Sequence, residues 1–338
     1  MEVVLTGIKP TGQPGMLHIG NYVGAMLPAV AASRNPNVHP YFFIADYHAV
    51  GGDADKLARS TLEITASWLA VGLDPSKVML YRQSDIPEIP ELTWILHSMT
   101  AKGLMNRAHA YKAAVAENEA TPGRDPDQAV MMSLYSYPIL MAADILMFKA
   151  AKVPVGRDQK QHVEMARDIA QRFNNAYGED LLVLPEPYIP EEVAVVPGTD
   201  GRKMSKTYGN TIAMFGGAGE VKKAVMGIVT DSTPVAEPKD VKTPLFQLWA
   251  LFASPAEREA TFERAQRGGL GYGELKQDLL ARLLAHFEPM RERREAFAKR
   301  PDDVEDVLAD GAARARAIGA PVLAAAREAA GLGGRPPR

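Results

Sequence analysis

The chain has 338 residues, 46% hydrophobic and 23% charged, with a formal net charge of -3; this is the composition of an ordinary globular protein long enough for two domains, and it excludes a disordered or fibrous chain. No cysteine is present, which excludes a disulfide framework and a Cys-ligated zinc, and the slightly acidic balance leaves any contact with nucleic acid to local Lys and Arg clusters. The longest apolar run, Tyr137 to Phe148, contains Asp144 and falls short of the roughly 20 residues a bilayer requires, and the N-terminus lacks the basic-then-apolar pattern of a leader; we expect a soluble, cytoplasmic protein with no membrane partner.

The first element is a short buried strand, Val3 to Leu5, broken by Gly7, Pro10, Gly12, Pro14 and Gly15. Leu17, Tyr22, Val23, Met26 and Leu27 then follow at helical spacing. Glycine at the mouth of a helix that follows a strand lets backbone N–H groups approach a phosphate at the positive end of the helix dipole, so this segment is a candidate nucleotide cradle. A second strand is expected at Tyr41 to Ala45, running into Asp46 and His48. Ligands of open α/β sheets lie outside the carboxyl ends of strands, which makes both residues candidates beside Gly7. Asp55 to Val71 reads as an amphipathic helix with Leu57, Leu62, Ile64, Trp68 and Leu69 inward and Gly72 as its stop, and Val78 to Tyr81 as a third strand. The alternation βαβαβ predicts a parallel, doubly wound sheet.

Pro90 to Met105 reads as helix and Ala114 to Asp127 as a polar surface loop, with Lys102, Arg107 and Lys112 just ahead of it. Tyr137 to Leu146 is an apolar helix with Pro138 in its first turn and Met141 and Asp144, three apart, on one face. An ionised carboxylate in such company is costly unless something donates to it, either backbone or arginine within the fold or a ligand N–H. Val153 to Gly156 is a short strand followed by a polar helix opening, Arg157 to His162. Asp158, or Gly156 through its backbone, suits a ribose, and Gln159 a ligand amine or carboxylate. Asp158 and His162 have the i,i+4 spacing of metal ligands, but no third ligand is evident. Downstream, Lys203 and Lys206 flank Ser205 in a glycine-rich loop expected to be mobile. Glycines at 216, 217 and 219 mark a boundary, beyond which Glu257 to Ala265, Tyr272 to Lys299 and Val304 to Ala330 carry helical periodicity. Arg291, Arg293, Arg294, Lys299 and Arg300 form a basic cluster that suits phosphates or a solvated helix end.

These segments together resemble the bacterial tryptophanyl-tRNA synthetases, which are class I aminoacyl-tRNA synthetases. The matching pieces are Gly7-Ile8-Lys9-Pro10-Thr11-Gly12, His18-Ile19-Gly20-Asn21-Tyr22, Asp46-Tyr47-His48, the Tyr137-Pro138-x-x-Met141-Ala142-Ala143-Asp144 helix, Val153-Pro154-Val155-Gly156-x-Asp158-Gln159-Lys160-Gln161-His162, and Lys203-Met204-Ser205-Lys206-Thr207. Related tyrosine enzymes typically carry Gln where Met141 stands, so Met141 with Asp144 favours indole. The implied fold is α/β: a Rossmann-like doubly wound parallel sheet in a catalytic domain over 1–200, with a helical dimer and acceptor-arm region near 85–150. A mobile loop over 201–215, an all-helical tRNA anticodon-recognition domain over 216–332 and a flexible tail over 333–338 complete it.

The implied reaction is ATP-dependent activation of L-tryptophan to the adenylate and its transfer to tRNA(Trp). By the same resemblance Lys9, Pro10, Thr11, Gly20, Asn21, Gly156, Arg157, Asp158, Lys203, Met204, Ser205, Lys206 and Thr207 line the ATP site. Lys203, Lys206, Ser205 and Lys9 would stabilise the transferring phosphate. Leu5, Gly7, His48, Tyr137, Met141, Asp144, Val153, Val155 and Gln159 would form the tryptophan pocket, Asp144 accepting from the indole N–H. Mg²⁺ is expected to be held by ATP phosphates and waters rather than by a protein carboxylate cage, so no metal ligand is assigned. A homodimer is implied, and the apolar content of Pro90 to Met105 suits one. The chain departs from the commonest pattern at Lys9, where Gln is frequent, at Arg157, where Glu is, at Leu5, where an aromatic is, and at Thr207 in place of Ser. A tyrosine-activating relative and a non-charging sensor of tryptophan are the alternative readings.

Overall fold

The computed structural model describes residues 2–10, 17–156, 159–178, 180–189 and 195–333. Five strands, β1 (Glu2–Ile8), β2 (Val38–Ile44), β3 (Met79–Arg82), β4 (Lys152–Pro154) and β5 (Glu186–Tyr188), form one sheet in the order β3-β2-β1-β4-β5 with every neighbouring pair parallel. Strand order reverses direction between β1 and β4, which opens a crevice at their carboxyl ends.

The sheet separates two apolar cores, and β2 shows how the sequence builds both. Tyr41 and Phe43 point into one core while Phe42 and Ile44 point into the other, the period-two alternation of a strand covered on both faces. Each such side chain contributes roughly 1.5–3 kcal/mol by leaving water. The first core is closed by α4 (Glu88–Met99), α7 (Met132–Met147) and α8 (Lys160–Tyr177). The second is closed by α3 (Ala54–Val71), α9 (Ala218–Met226), α10 (Pro244–Ala250) and α12 (Tyr272–Ala298), together with the helical stretch that follows β1. That stretch runs as α1 (Ile19–Asn21), a π-helical turn (Tyr22–Met26) and α2 (Leu27–Ser33).

The remaining helices are α5 (Lys102–Met105), α6 (His109–Glu119), α11 (Pro255–Arg267) and α13 (Pro301–Ala329). The all-helical C-terminal third is thus present, and it shares its core with the sheet. α13 lies along β3 so closely that a Cβ on Gly311 would strike the Leu80 carbonyl.

Three expectations need correction. Ala114 to Glu119 is helix rather than loop: Asn118 is buried and donates to the carbonyls of Pro126 and Gln128 at 2.8 and 2.9 Å, which ties the following turn back to α6. Pro138 stands inside α7, not in its first turn, because the helix already begins at Met132. The buried face of α3 includes Ser60, Thr61 and Thr65, whereas Leu57, Leu62 and Ile64 are only half-buried. Of the expected turn after β1, residues 11–16 lie outside the described residues, as do 334–338 of the expected tail.

Candidate active site

Four strand ends and one loop from the far half of the chain converge on the crevice. From β1 come Leu5, which is buried, and Gly7, which is exposed; a Cβ on Gly7 would lie 2.7 Å from the Phe43 ring, so only glycine keeps the backbone at this place in the sheet. Lys9 is exposed and Pro10 buried just beyond the strand, and Thr11 lies outside the described residues.

His18 begins the next helical stretch. Its backbone N–H donates to Asn21 Oδ1 at 3.1 Å, which caps the helix and orients the Asn21 side chain. The His18 ring is 7% exposed, and its Nδ1 has no hydrogen-bond partner among the described residues. Burial, with the Lys206 cation as a second cause, lowers the ring's pKa to about 4, so it is neutral at pH 7.

The Lys203 to Thr207 loop docks directly on this segment. Ile19 N–H donates to the Ile212 carbonyl at 3.0 Å, Met214 N–H to the Leu17 carbonyl at 2.9 Å, and Gly20 N–H to Met204 Sδ at 3.3 Å. Met204 is 4% exposed and fills the joint, while Lys203, Lys206 and Thr207 remain exposed. Burial nevertheless depresses the Lys206 pKa from its usual value. Asn210, 2% exposed, holds the loop's shape. It donates to Asp200 Oδ1 at 2.6 Å and to the Lys203 carbonyl at 3.1 Å, and accepts from Ser205 N–H at 2.8 Å. The Ser205 hydroxyl in turn accepts from Thr207 N–H at 3.3 Å.

On the other side of the crevice, Asp144 is 1% exposed at the heart of α7. Gln83 Nε2 donates to both carboxylate oxygens at 2.8 and 2.9 Å, and His48 Nε2 lies 3.1 Å from Oδ2. Burial raises the Asp144 pKa, and the bonds from His48 and Gln83 oppose that rise. Tyr137 stands edge-on to His48 with ring centroids 6.3 Å apart, and its hydroxyl lies 2.6 Å from His162 Nε2. Met141 is half-buried beside them, and Val153 and Val155 are buried. Gly156 and Gln159 are exposed at the opening of α8; Arg157 and Asp158 lie outside the described residues.

The sequence singles out neither Gln83 nor Asn210, and it singles out His162 only for its metal-like spacing from Asp158, not as the partner of Tyr137. Gln83 stands just beyond β3, so the strand-end rule that found Asp46 and His48 applies to it equally. The basic cluster of α12 is largely committed within the fold. Arg293 donates to the Ala70 carbonyl at 2.7 Å, Arg294 to Ser67 Oγ at 3.2 Å, and Arg291 to Glu288 and the Gly216 carbonyl. A separate open cavity of about 510 Å³, lined by Leu104, Arg107, Asp168 and Arg172 among others, includes none of the residues above.

A parallel sheet with its switch point at β1 and β4, and two distant signature segments joined at its mouth, defines a class I aminoacyl-tRNA synthetase catalytic core. The chain belongs to the class I tRNA synthetases of the W and Y family, whose model matches residues 2–288. It is 55% identical to a tryptophan–tRNA ligase from Pseudomonas aeruginosa over 334 residues, covering 97% of this chain and 73% of that one. A tryptophan–tRNA ligase from Bordetella pertussis is 54% identical over 334 residues, covering 98% and 73%. The crystal structure of tryptophanyl-tRNA synthetase from Campylobacter jejuni complexed with ADP and tryptophan superposes with a TM-score of 0.88 at 42% identity, covering 98% of this chain and all of that one. A tyrosyl-tRNA synthetase from Archaeoglobus fulgidus, at 20% identity and a TM-score of 0.58, shares the fold.

Proposed function

We propose that this chain is a tryptophan–tRNA ligase that uses ATP to convert L-tryptophan to its adenylate and then charges tRNA(Trp). The observation that carries the choice of amino acid is the buried Asp144 carboxylate. Three donor contacts occupy part of its capacity of about four lone-pair sites, which leaves room for an indole N–H. Leu5, Gly7, His48, Tyr137, Met141, Val153 and Val155 form the remaining walls of this pocket, with Gln159 at the amino-acid head group.

In the first step the tryptophan carboxylate attacks the α-phosphorus in line and pyrophosphate leaves, so the site must position the reactants and neutralise charge. Lys9, Pro10, Thr11, Gly20, Asn21, Gly156, Arg157 and Asp158 cradle the nucleotide, and Lys203, Ser205, Lys206 and Thr207 close on its phosphates. Mg²⁺ would enter with the nucleotide, held by phosphate oxygens and water, and would supply part of the charge neutralisation. The helical residues 216–332 carry anticodon recognition in this reading. The protein is cytoplasmic and works as a homodimer; no described helix is long and apolar enough to cross a membrane. Amino-acid-dependent ATP–pyrophosphate exchange across all twenty amino acids, followed by charging of purified tRNA, tests the reading. Exchange with tyrosine in preference to tryptophan would overturn it.

A further inference from the structure

We propose that Gln83 is a positioning residue for amino-acid selection: its amide sets the plane of the Asp144 carboxylate, so that one lone pair is left aimed at an indole N–H. This inference rests on the reading that Asp144 accepts from tryptophan. Gln83 is 0% exposed and stands in the 3-10 turn (Gln83–Asp85) immediately after β3. Its orientation is set from one side only. Gln83 Oε1 accepts the Tyr47 N–H at 3.2 Å, so its NH₂ must face Asp144, where it meets both oxygens at 2.8 and 2.9 Å. Gln83 Nε2 meets both oxygens and His48 Nε2 meets Oδ2 alone, so the two donors together hold the carboxylate in one orientation. Without Gln83, Oδ1 would lose its donor and His48 on Oδ2 would be the one contact left of these three.

The neighbourhood explains why such a device is needed. The titratable groups facing Asp144 are His48 and Asp46 from the segment after β2 and Tyr81 from β3. Asp46 repels a second negative charge. The fully buried Tyr81 hydroxyl has no hydrogen-bond partner among the described residues. Gln83 is therefore, with His48, one of two groups that favour the ionised acid, and it brings no charge of its own.

Gln83→Met keeps the volume and removes the donor. The Tyr47 N–H keeps a partner in Asp46 Oδ1 at 3.1 Å, so the variant leaves no orphaned backbone group there. The probe is pyrophosphate exchange with tryptophan and with 3-(benzothiophen-3-yl)alanine, an isostere with sulfur in place of the N–H. Wild type should favour tryptophan strongly. In Gln83→Met that preference should shrink roughly tenfold or more, the worth of a hydrogen bond to a charged group. The rise of KM for tryptophan on acidification should begin at higher pH, since burial is less opposed. Gln83→Glu gives the opposite profile. When protonated, the introduced carboxyl both donates to Asp144 and accepts from Tyr47, so discrimination returns at low pH and fades as pH rises. Equal losses for both substrates, or unchanged profiles in both variants, overturn the proposal. If wild type itself does not distinguish tryptophan from the isostere, the reading of Asp144 fails first, and this is visible without any variant.

Discussion

The backbone N–H of Gly20 points at the sulfur of Met204, 3.3 Å away, across 184 residues of sequence. A Cβ at position 20 would lie 3.0 Å from the His18 ring and 3.4 Å from Met204 Cβ, so the glycine is what allows the two signature segments to meet. Truncating Met204 to Ala should cost about 2–5 kcal/mol of stability as a buried-cavity mutation. It should also raise the KM for ATP while tryptophan affinity without ATP changes less than about twofold. Equal losses in both affinities, measured by equilibrium binding, would place Met204 in the general scaffold instead.

Lys206→Ala should lower the pre-steady-state rate of adenylate formation about 10²-fold or more and weaken tryptophan binding little. Cations aimed at developing phosphate charge act in the transition state. A rate within a factor of two of wild type would remove Lys206 from the reaction.

Asp144→Ala should reduce exchange with tryptophan heavily and with phenylalanine little. A site built to hydrogen-bond a substrate group rejects ligands lacking it by up to ~10⁴–10⁵-fold, against ~10–200-fold for apolar shape alone. Asp144→Asn is milder, because its amide oxygen still accepts. Equal reduction for both amino acids in a folded protein would make Asp144 structural. Gln83 and His48 would lose their acceptor in Asp144→Ala, so thermal stability must be followed alongside.

His18 supplies a pH dependence with a defined sign. Its pKa is lowered from 6.5 to about 4 in the folded protein. Between those values the unfolded chain binds a proton that the folded chain does not, so stability falls as pH drops below 6.5 and this contribution levels off near 4. The loss amounts to at most on the order of 3 kcal/mol. The melting temperature of His18→Gln should therefore fall less than that of wild type between pH 7 and pH 5.

Homodimerisation has a narrower physical basis than the apolar content of α4 suggests, because Ile89, Leu92, Ile95 and Leu96 are spent in the first core. Trp94 at 72%, Met131 at 69% and Met132 at 71% exposed remain, on α4 and at the start of α7, two helices that pack together. Trp94→Asp should shift the mass found by light scattering from dimer to monomer at micromolar concentration. A monomeric wild type would end the proposal.

The parallel sheet was legible because β2 alternates large apolar residues without a polar break, and the signatures because their residue types are rare in combination. What escaped is polar and long-range. Gln83 belongs to no motif, and its partner Asp144 is 61 residues away. Thr61 and Thr65 hide in the buried face of α3 because the Thr65 hydroxyl donates to the Thr61 carbonyl at 2.8 Å, a local bond that hydropathy does not register. The second half of α6 is polar and reads as loop, yet its buried Asn118 gathers the turn behind it. The arginines of α12 look like a nucleic-acid surface because sequence shows charge but not the carbonyls and carboxylates it meets.

The fit of Gly311 against Leu80 has a consequence for how the protein is made. β3 would otherwise end the sheet with a row of unsatisfied N–H and C=O groups, the template on which chains associate. α13 follows all five strands in the chain, so the half-made sheet waits uncovered until residues 301–329 emerge from the ribosome. A nonsense mutation or proteolytic nick before Pro301 should thus show itself first as insoluble protein, before any question of tRNA recognition arises. A bulky residue at 311 would act in the same way, by holding the last helix off the strand it shields.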